Sequence, residues 1–223
     1  MLRLRRPTTI LAALFILTVA AHAAAQDPIP EPVPPQPMTT FVVDIRGAMA
    51  ALKQDESVAA ALAVPATELP SRGLGFVVGA HVYPLRRKSF AIGVGAEMLR
   101  VRGSNTIESL VEDGEDGPTI KARWNHFSPQ VSFNFGARDG WSYLTVGLGR
   151  TKLTMDLEEA PQEDGDAVRT LNYGGGARWF MKKHVAFTFD VRFYSINAQE
   201  ATGDRIAIPQ MRLRVLSAGI SLR

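Results

Sequence analysis

The chain has 223 residues, of which 46% are apolar and 21% charged, so it encodes one domain with or without appendages and is too apolar to be disordered. It has no cysteine, which excludes a disulfide framework, a thiolate zinc site and a thiol nucleophile. The net charge of +3 resides in Arg3, Arg5 and Arg6; the rest of the chain balances 22 basic against 22 acidic residues, and a nucleic-acid footprint is not expected.

Residues 1–25 read as a secretory signal peptide. Arg3, Arg5 and Arg6 form a charged head, Ile10 to Ala21 a short apolar segment, and Ala23-Ala24-Ala25 a small-residue cleavage pattern. About a dozen apolar residues is short for a helical span of roughly 20, so cleavage is expected over retention as an anchor. Residues 26–37 hold six of the 14 prolines and read as a stiff extended linker. No later run of 18 apolar residues exists, so no bundle of membrane helices is encoded.

From residue 38 to 223 the pattern has period two. Eight strands are expected, at 39–48, 74–83, 90–99, 126–135, 141–149, 170–181, 184–195 and 207–222. In the clearest, Val185, Phe187, Phe189, Val191 and Phe193 share one face, while Ala186, Thr188, Asp190, Arg192 and Tyr194 share the other. Three connections are hairpin-sized, near Leu85–Lys88, Gly136–Gly140 and Lys182–Lys183. The others, roughly 49–72, 103–120, 156–168 and 197–205, are longer and more polar; the Ala-rich stretch 48–64 predicts a short helix in the first. Glu108, Glu112, Asp113, Glu115 and Asp116 make the second acidic, but without the ligand spacing of an EF-hand, so a solvated loop is expected and no metal site.

An even number of strands of about ten residues, with short turns at one end and long loops at the other, predicts an all-β fold: an eight-stranded antiparallel up-and-down transmembrane β-barrel. A soluble barrel would alternate equally, with its apolar face inward. The signal peptide and the small residues on the polar face (Gly75, Gly79, Gly93, Gly95, Gly147, Gly149) favour the inverted arrangement, because a narrow lumen accepts only small fillers beside its charges. Aromatic residues flank the three short turns, and Tyr83, Phe90, Trp141, Trp179 and Phe180 are expected as an interfacial girdle.

Leu171-Asn172-Tyr173-Gly174-Gly175-Gly176-Ala177-Arg178-Trp179-Phe180, the basic turn after it and Val185 to Tyr194 resemble the small eight-stranded outer-membrane barrels of the opacity-protein and OmpA-like type. Tyr143-Leu144-Thr145-Val146-Gly147-Leu148-Gly149 is similar to another strand of that family, and the likeness spans nearly all of residues 38–223. It implies a bacterial outer-membrane location, contact with outer-membrane lipid and lipopolysaccharide, and delivery by the barrel-insertion machinery. Such barrels usually finish on an aromatic residue, whereas this chain has Ile220-Ser221-Leu222-Arg223. In the same strand Arg212 and Arg214 share parity with Leu216, which places them either at the outer rim or beyond a bulge that switches faces.

The lumen is expected to hold Asp44, Arg46, His81, Glu97, His126, Gln130, Arg178, Asp190 and Arg192 as a paired network that plugs it, since an unpaired buried charge costs several kcal/mol. His126 and Ser128, two apart on one strand face, resemble the His and Ser of the lipid A deacylase barrels, where His acts as base to a Ser nucleophile. Pro129 departs from that motif, and no acidic partner announces itself. The expected role is therefore non-enzymatic, structural or interactive at the cell surface, without a cofactor. A lipid A-modifying enzyme at His126 and Ser128 and a soluble periplasmic barrel binding an apolar ligand are the alternatives.

Overall fold

The computed structural model describes residues 38–108, 117–137, 139–162, 165–203 and 205–223. The signal peptide, the linker and the acidic residues Glu112, Asp113, Glu115 and Asp116 lie outside them.

Alternation of inward and outward side chains runs through eight strands: β1 (Phe41–Ala51), β2 (Arg72–Arg86), β3 (Phe90–Thr106), β4 (Thr119–Ala137), β5 (Gly140–Leu157), β6 (Val168–Phe180), β7 (Val185–Ile196) and β8 (Met211–Leu222). Each pairs antiparallel with its sequence neighbour, and β1 closes on β8 from Val43 opposite Leu222 to Ala51 opposite Arg214. Closure leaves no edge strand, so every ladder donor has a partner strand. The one register shift falls between Val82 and Leu85, where Pro84 supplies no amide hydrogen.

Strands β3, β4 and β5 are 17, 19 and 18 residues long and extend into segments that the sequence suggested were loops. Their loop-end halves still alternate, but with the chemistry exchanged. Leu99, Val101, Ile120, Ala122, Trp124, Leu153 and Met155 point inward and are buried, while polar and basic residues point outward. The barrel thus has two storeys. Near the short turns its outside is apolar and its inside polar; near the long loops the reverse holds, as in a water-soluble protein.

The upper core is capped by the connection between β1 and β2. It forms the short helix α1 (Glu56–Ala61), and Val58, Ala59, Leu62 and Leu69 join the inward residues of the strands in one apolar cluster. The helix starts where Asp55 accepts the Ser57 amide at 3.1 Å, leaving its other oxygen to Lys53 Nζ at 2.7 Å. Hydrogen bonds from Lys53 and Ser57 hold the Asp55 carboxyl down to about 2. A depressed carboxylate contributes stability above its ordinary pKa near 4 and loses it as the pH falls toward 2. Asp55→Ala is expected to cost the helix about 1 kcal/mol, as loss of an N-cap does. Hydrogen exchange of the Ala59 and Leu62 amides should then quicken roughly fivefold at neutral pH. Unchanged exchange would mean that burial of Val58 and Leu62 alone holds the helix.

Candidate functional site

In the lower storey the inward residues of β1, β3 and β7 build a closed ring of charge, to which β8 adds the hydroxyl of Ser217. Arg46 bonds Glu97 through a short contact and lies 3.2 Å from Asp190. Arg192 meets Asp190 at 2.9 Å and Glu97 at 3.0 Å, which completes a square of two guanidiniums and two carboxylates. Tyr143 Oη donates to Asp190 at 2.8 Å, Tyr194 Oη to Glu97 at 3.2 Å, and Arg46 to Ser217 Oγ at 3.2 Å. Toward the short turns a second pair follows. Arg178 grips Asp44 with Nη2 at 2.6 Å and Nε at 3.2 Å, and Ser221 donates to the same carboxylate. The six charges sum to zero, as removal from water requires. Glycines make room for the ring: a Cβ on Gly176 would lie 2.7 Å from Tyr143 Oη and 2.2 Å from the Phe189 carbonyl.

Other expected lumen residues stand apart from this network. His81 and Gln130 are buried in the lumen, yet neither finds a hydrogen-bond partner among the described residues. His126 Nδ1 lies 2.8 Å from Thr151 Oγ1 and its Nε2 3.3 Å from Asn172 Nδ2. Ser128 donates to its neighbouring Pro129 carbonyl at 2.9 Å and to Asn172 Oδ1 at 3.2 Å. The β4–β5 ladder skips Ser128 and Pro129, where proline offers no amide, and the Ser128 hydroxyl donates to the Pro129 carbonyl there. Both His126 and Ser128 thus face the packed interior, away from any acyl chain of the bilayer, and His126 is turned to Thr151 and Asn172.

The girdle needs correction. Tyr83 and Trp141 are 1% and 3% exposed and lie inside, edge to face at 6.2 Å, where with Phe180 they close the turn end of the lumen. Their inward parity overrides the general tendency of aromatics to sit at an interface. Trp179 does face outward, stacked with Phe187 at 6.1 Å, and Phe90 packs on Phe135 at 5.6 Å. Phe41, which the sequence argument missed, is outward at the same end.

The outward face of the loop end carries a row of cations, of which the sequence had drawn attention only to Arg212 and Arg214. Arg72, Arg100, Arg102, Arg150, Lys152, Arg169, Arg212 and Arg214 are all exposed there, without an ion pair among the described residues. Strand β8 pairs regularly with β7 and β1 throughout, so no bulge turns Arg212 and Arg214 inward; Met211, Leu213 and Val215 fill the core instead. The register sets an aromatic residue beside several of these cations: Phe76 opposite Arg100, Phe127 opposite Arg150, Phe193 opposite Arg214. Parity alone carried the signal, since Leu144, Val146, Leu148 and Arg150 fall on one face in the sequence.

Below these cations the outward face is a belt of Val43, Ile45, Val82, Val94, Val131, Phe133, Leu144, Val146, Phe187, Phe189 and Ile220, all exposed. Side chains of this kind on the outside of a closed barrel, over a charge-balanced lumen, define a membrane-spanning barrel, and the soluble alternative with an apolar interior ligand site fails.

No protein-family model matches the chain, and no curated protein sequence does. Solved structures do match. Neisserial surface protein A is aligned over 82% of this chain and 97% of its own, at 15% identity and a TM-score of 0.50. The attachment invasion locus protein Ail of Yersinia pestis aligns over 85% and 99%, at 12% identity and 0.44. The outer membrane protein OprG of Pseudomonas aeruginosa aligns over 85% and 98%, at 11% and 0.44. The chain has the fold of the small eight-stranded outer-membrane barrels.

Proposed function

We propose that this chain is a non-enzymatic barrel of a diderm outer membrane, sealed through its lumen and presenting its longer connections to the cell exterior. Residues 1–25 act as the export signal and 26–37 as a spacer before the barrel, and the barrel-insertion machinery delivers it. The short turns then face the periplasm, the usual arrangement for such barrels. The observation that carries the reading is the neutral, mutually bonded set Asp44, Arg46, Glu97, Arg178, Asp190 and Arg192, held beneath an apolar plug. An interior this filled leaves side chains, not a channel, at the axis. A lipid A-modifying role gains no support, since His126 and Ser128 point inward.

Two measurements on the mature protein test this. Unboiled protein from outer membranes is expected to migrate differently from boiled protein on a denaturing gel, and planar bilayers containing it should show no stepwise conductance. A steady ohmic conductance of the wild type would overturn the sealed lumen. Recovery in the soluble fraction without a mobility shift would overturn the membrane reading itself.

A further inference from the structure

Arg150 and Arg169 stand directly opposite each other across β5 and β6, both pointing outward. Like charges in this position destabilise a sheet. Two other cations at this end have a carboxylate: Arg123 meets Asp156 at 2.7 Å and Lys121 meets Glu158 at 2.5 Å. For Arg150 and Arg169 no acidic partner is found among the described residues.

The pair forms the upper wall of a groove of about 790 Å³ on the outside of the barrel, lined below by Pro129, Leu148 and Leu171 and beside by Phe127, Ser195 and Asn197. Among the described residues no acidic side chain lines it. Leu148 lies directly opposite Leu171, immediately beneath the arginines, and is the most exposed apolar side chain of the belt at 73%. The height fits as well. From Ser142, outward at the turn end of β5, to Arg150 is eight residues, or roughly 20 Å along the barrel axis at the usual strand rise and tilt. That is close to the ~25 Å of a transmembrane apolar band.

We infer that Arg150 and Arg169 form a site for a phosphate of lipid A, with an acyl chain of the same molecule lying over Leu148 and Leu171. The inference rests on the outer-membrane reading proposed above and assigns a lipid partner to that barrel. Residues directly opposite on paired strands start from Cα atoms about 5 Å apart, so two guanidiniums reach one phosphate and form charge-assisted, forked hydrogen bonds with it. The dianion cancels the repulsion that the described residues leave standing. Lipid A is the occupant because the groove joins two cations at the long-loop end to an apolar floor beneath them, and a phosphorylated acyl-sugar in the outer leaflet matches both. A second groove of the same volume, lined by Met49, Leu74, Arg72, Arg102 and Arg123, is a weaker candidate, because Arg123 is already held by Asp156.

The test is a titration of detergent-solubilised mature protein with hexa-acylated, bisphosphorylated lipid A, followed by native mass spectrometry. The same lipid stripped of both phosphates, and phosphatidylglycerol, serve as the other probes. The wild type should show one saturable adduct, at least tenfold weaker for the dephosphorylated lipid and for phosphatidylglycerol. Arg150→Gln with Arg169→Gln should weaken lipid A binding at least tenfold, while Arg212→Gln with Arg214→Gln leaves it within about threefold. Equal binding of lipid A with and without its phosphates by the wild type would overturn the site, and needs no variant. Equal binding by the Arg150/Arg169 variant, or by phosphatidylglycerol, would also overturn it. These failures leave the gel mobility shift intact, whereas failure of the outer-membrane reading would abolish the shift in the wild type.

Discussion

Glu97→Met is expected to destabilise the barrel by about 3–5 kcal/mol, the cost of leaving a buried charge without its partner. Glu97 touches both Arg46 and Arg192 and accepts from Tyr194. Its loss leaves two guanidiniums to share Asp190 in an interior closed to water. The accompanying change Arg192→Met should restore most of the loss, because Arg46 and Asp190, 3.2 Å apart, then remain as a balanced pair. Urea unfolding in phosphatidylcholine vesicles, followed by tryptophan fluorescence and the gel shift, measures both. A single variant within 1 kcal/mol of the wild type would mean that the ring does not hold the lumen together. The coupling between the two substitutions, not either one alone, reports the pair.

Val146→Arg is expected to cost about 2–4 kcal/mol in the same assay, the value for a cation at the middle of the lipid-facing band. Val146 is outward, between Val131 and Tyr173, midway along β5 from Ser142 to Arg150. Ser142→Arg, at the turn-end interface, should cost only about 0–1 kcal/mol. The contrast separates lipid from water as the outer solvent, because on a water-exposed face both substitutions would fall within about 0.5 kcal/mol of neutral. Equal and negligible effects would contradict a bilayer around this belt.

The two predictions draw on different levels of the molecule. Val146 belongs to the pattern Leu144, Val146, Leu148, whose lipid-facing parity can be read directly from alternation. Glu97 was recognisable as an inward charge, but its ring was not, since Arg46, Glu97 and Arg192 come from strands far apart in the chain and meet only when β1 closes on β8. The same limit explains Tyr83 and Trp141. Their place beside the short turns suggested a membrane interface, yet their parity is that of the polar face, and inside the barrel they pack on each other.

Strand length was misjudged for a related reason. Beyond Met98 and Leu148 the outward residues cease to be apolar, which imitates the start of a loop. The inward residues Leu99, Val101, Leu153 and Met155 take over the hydrophobic face, and the strands continue. Arg150 and Arg169 stayed unnoticed because a sequence states no register; their opposition exists only through the β5–β6 pairing.

The sequence by itself determined the count of strands, their antiparallel order, the short and long ends and the parity of most side chains, because each depends on local alternation and on turn residues. Only the tertiary structure decided which inward charges neutralise one another, how the upper half of the lumen is filled, and which cations stand together above the apolar belt. Those depend on closure of the sheet and on register between strands, which bring together residues that no local pattern relates.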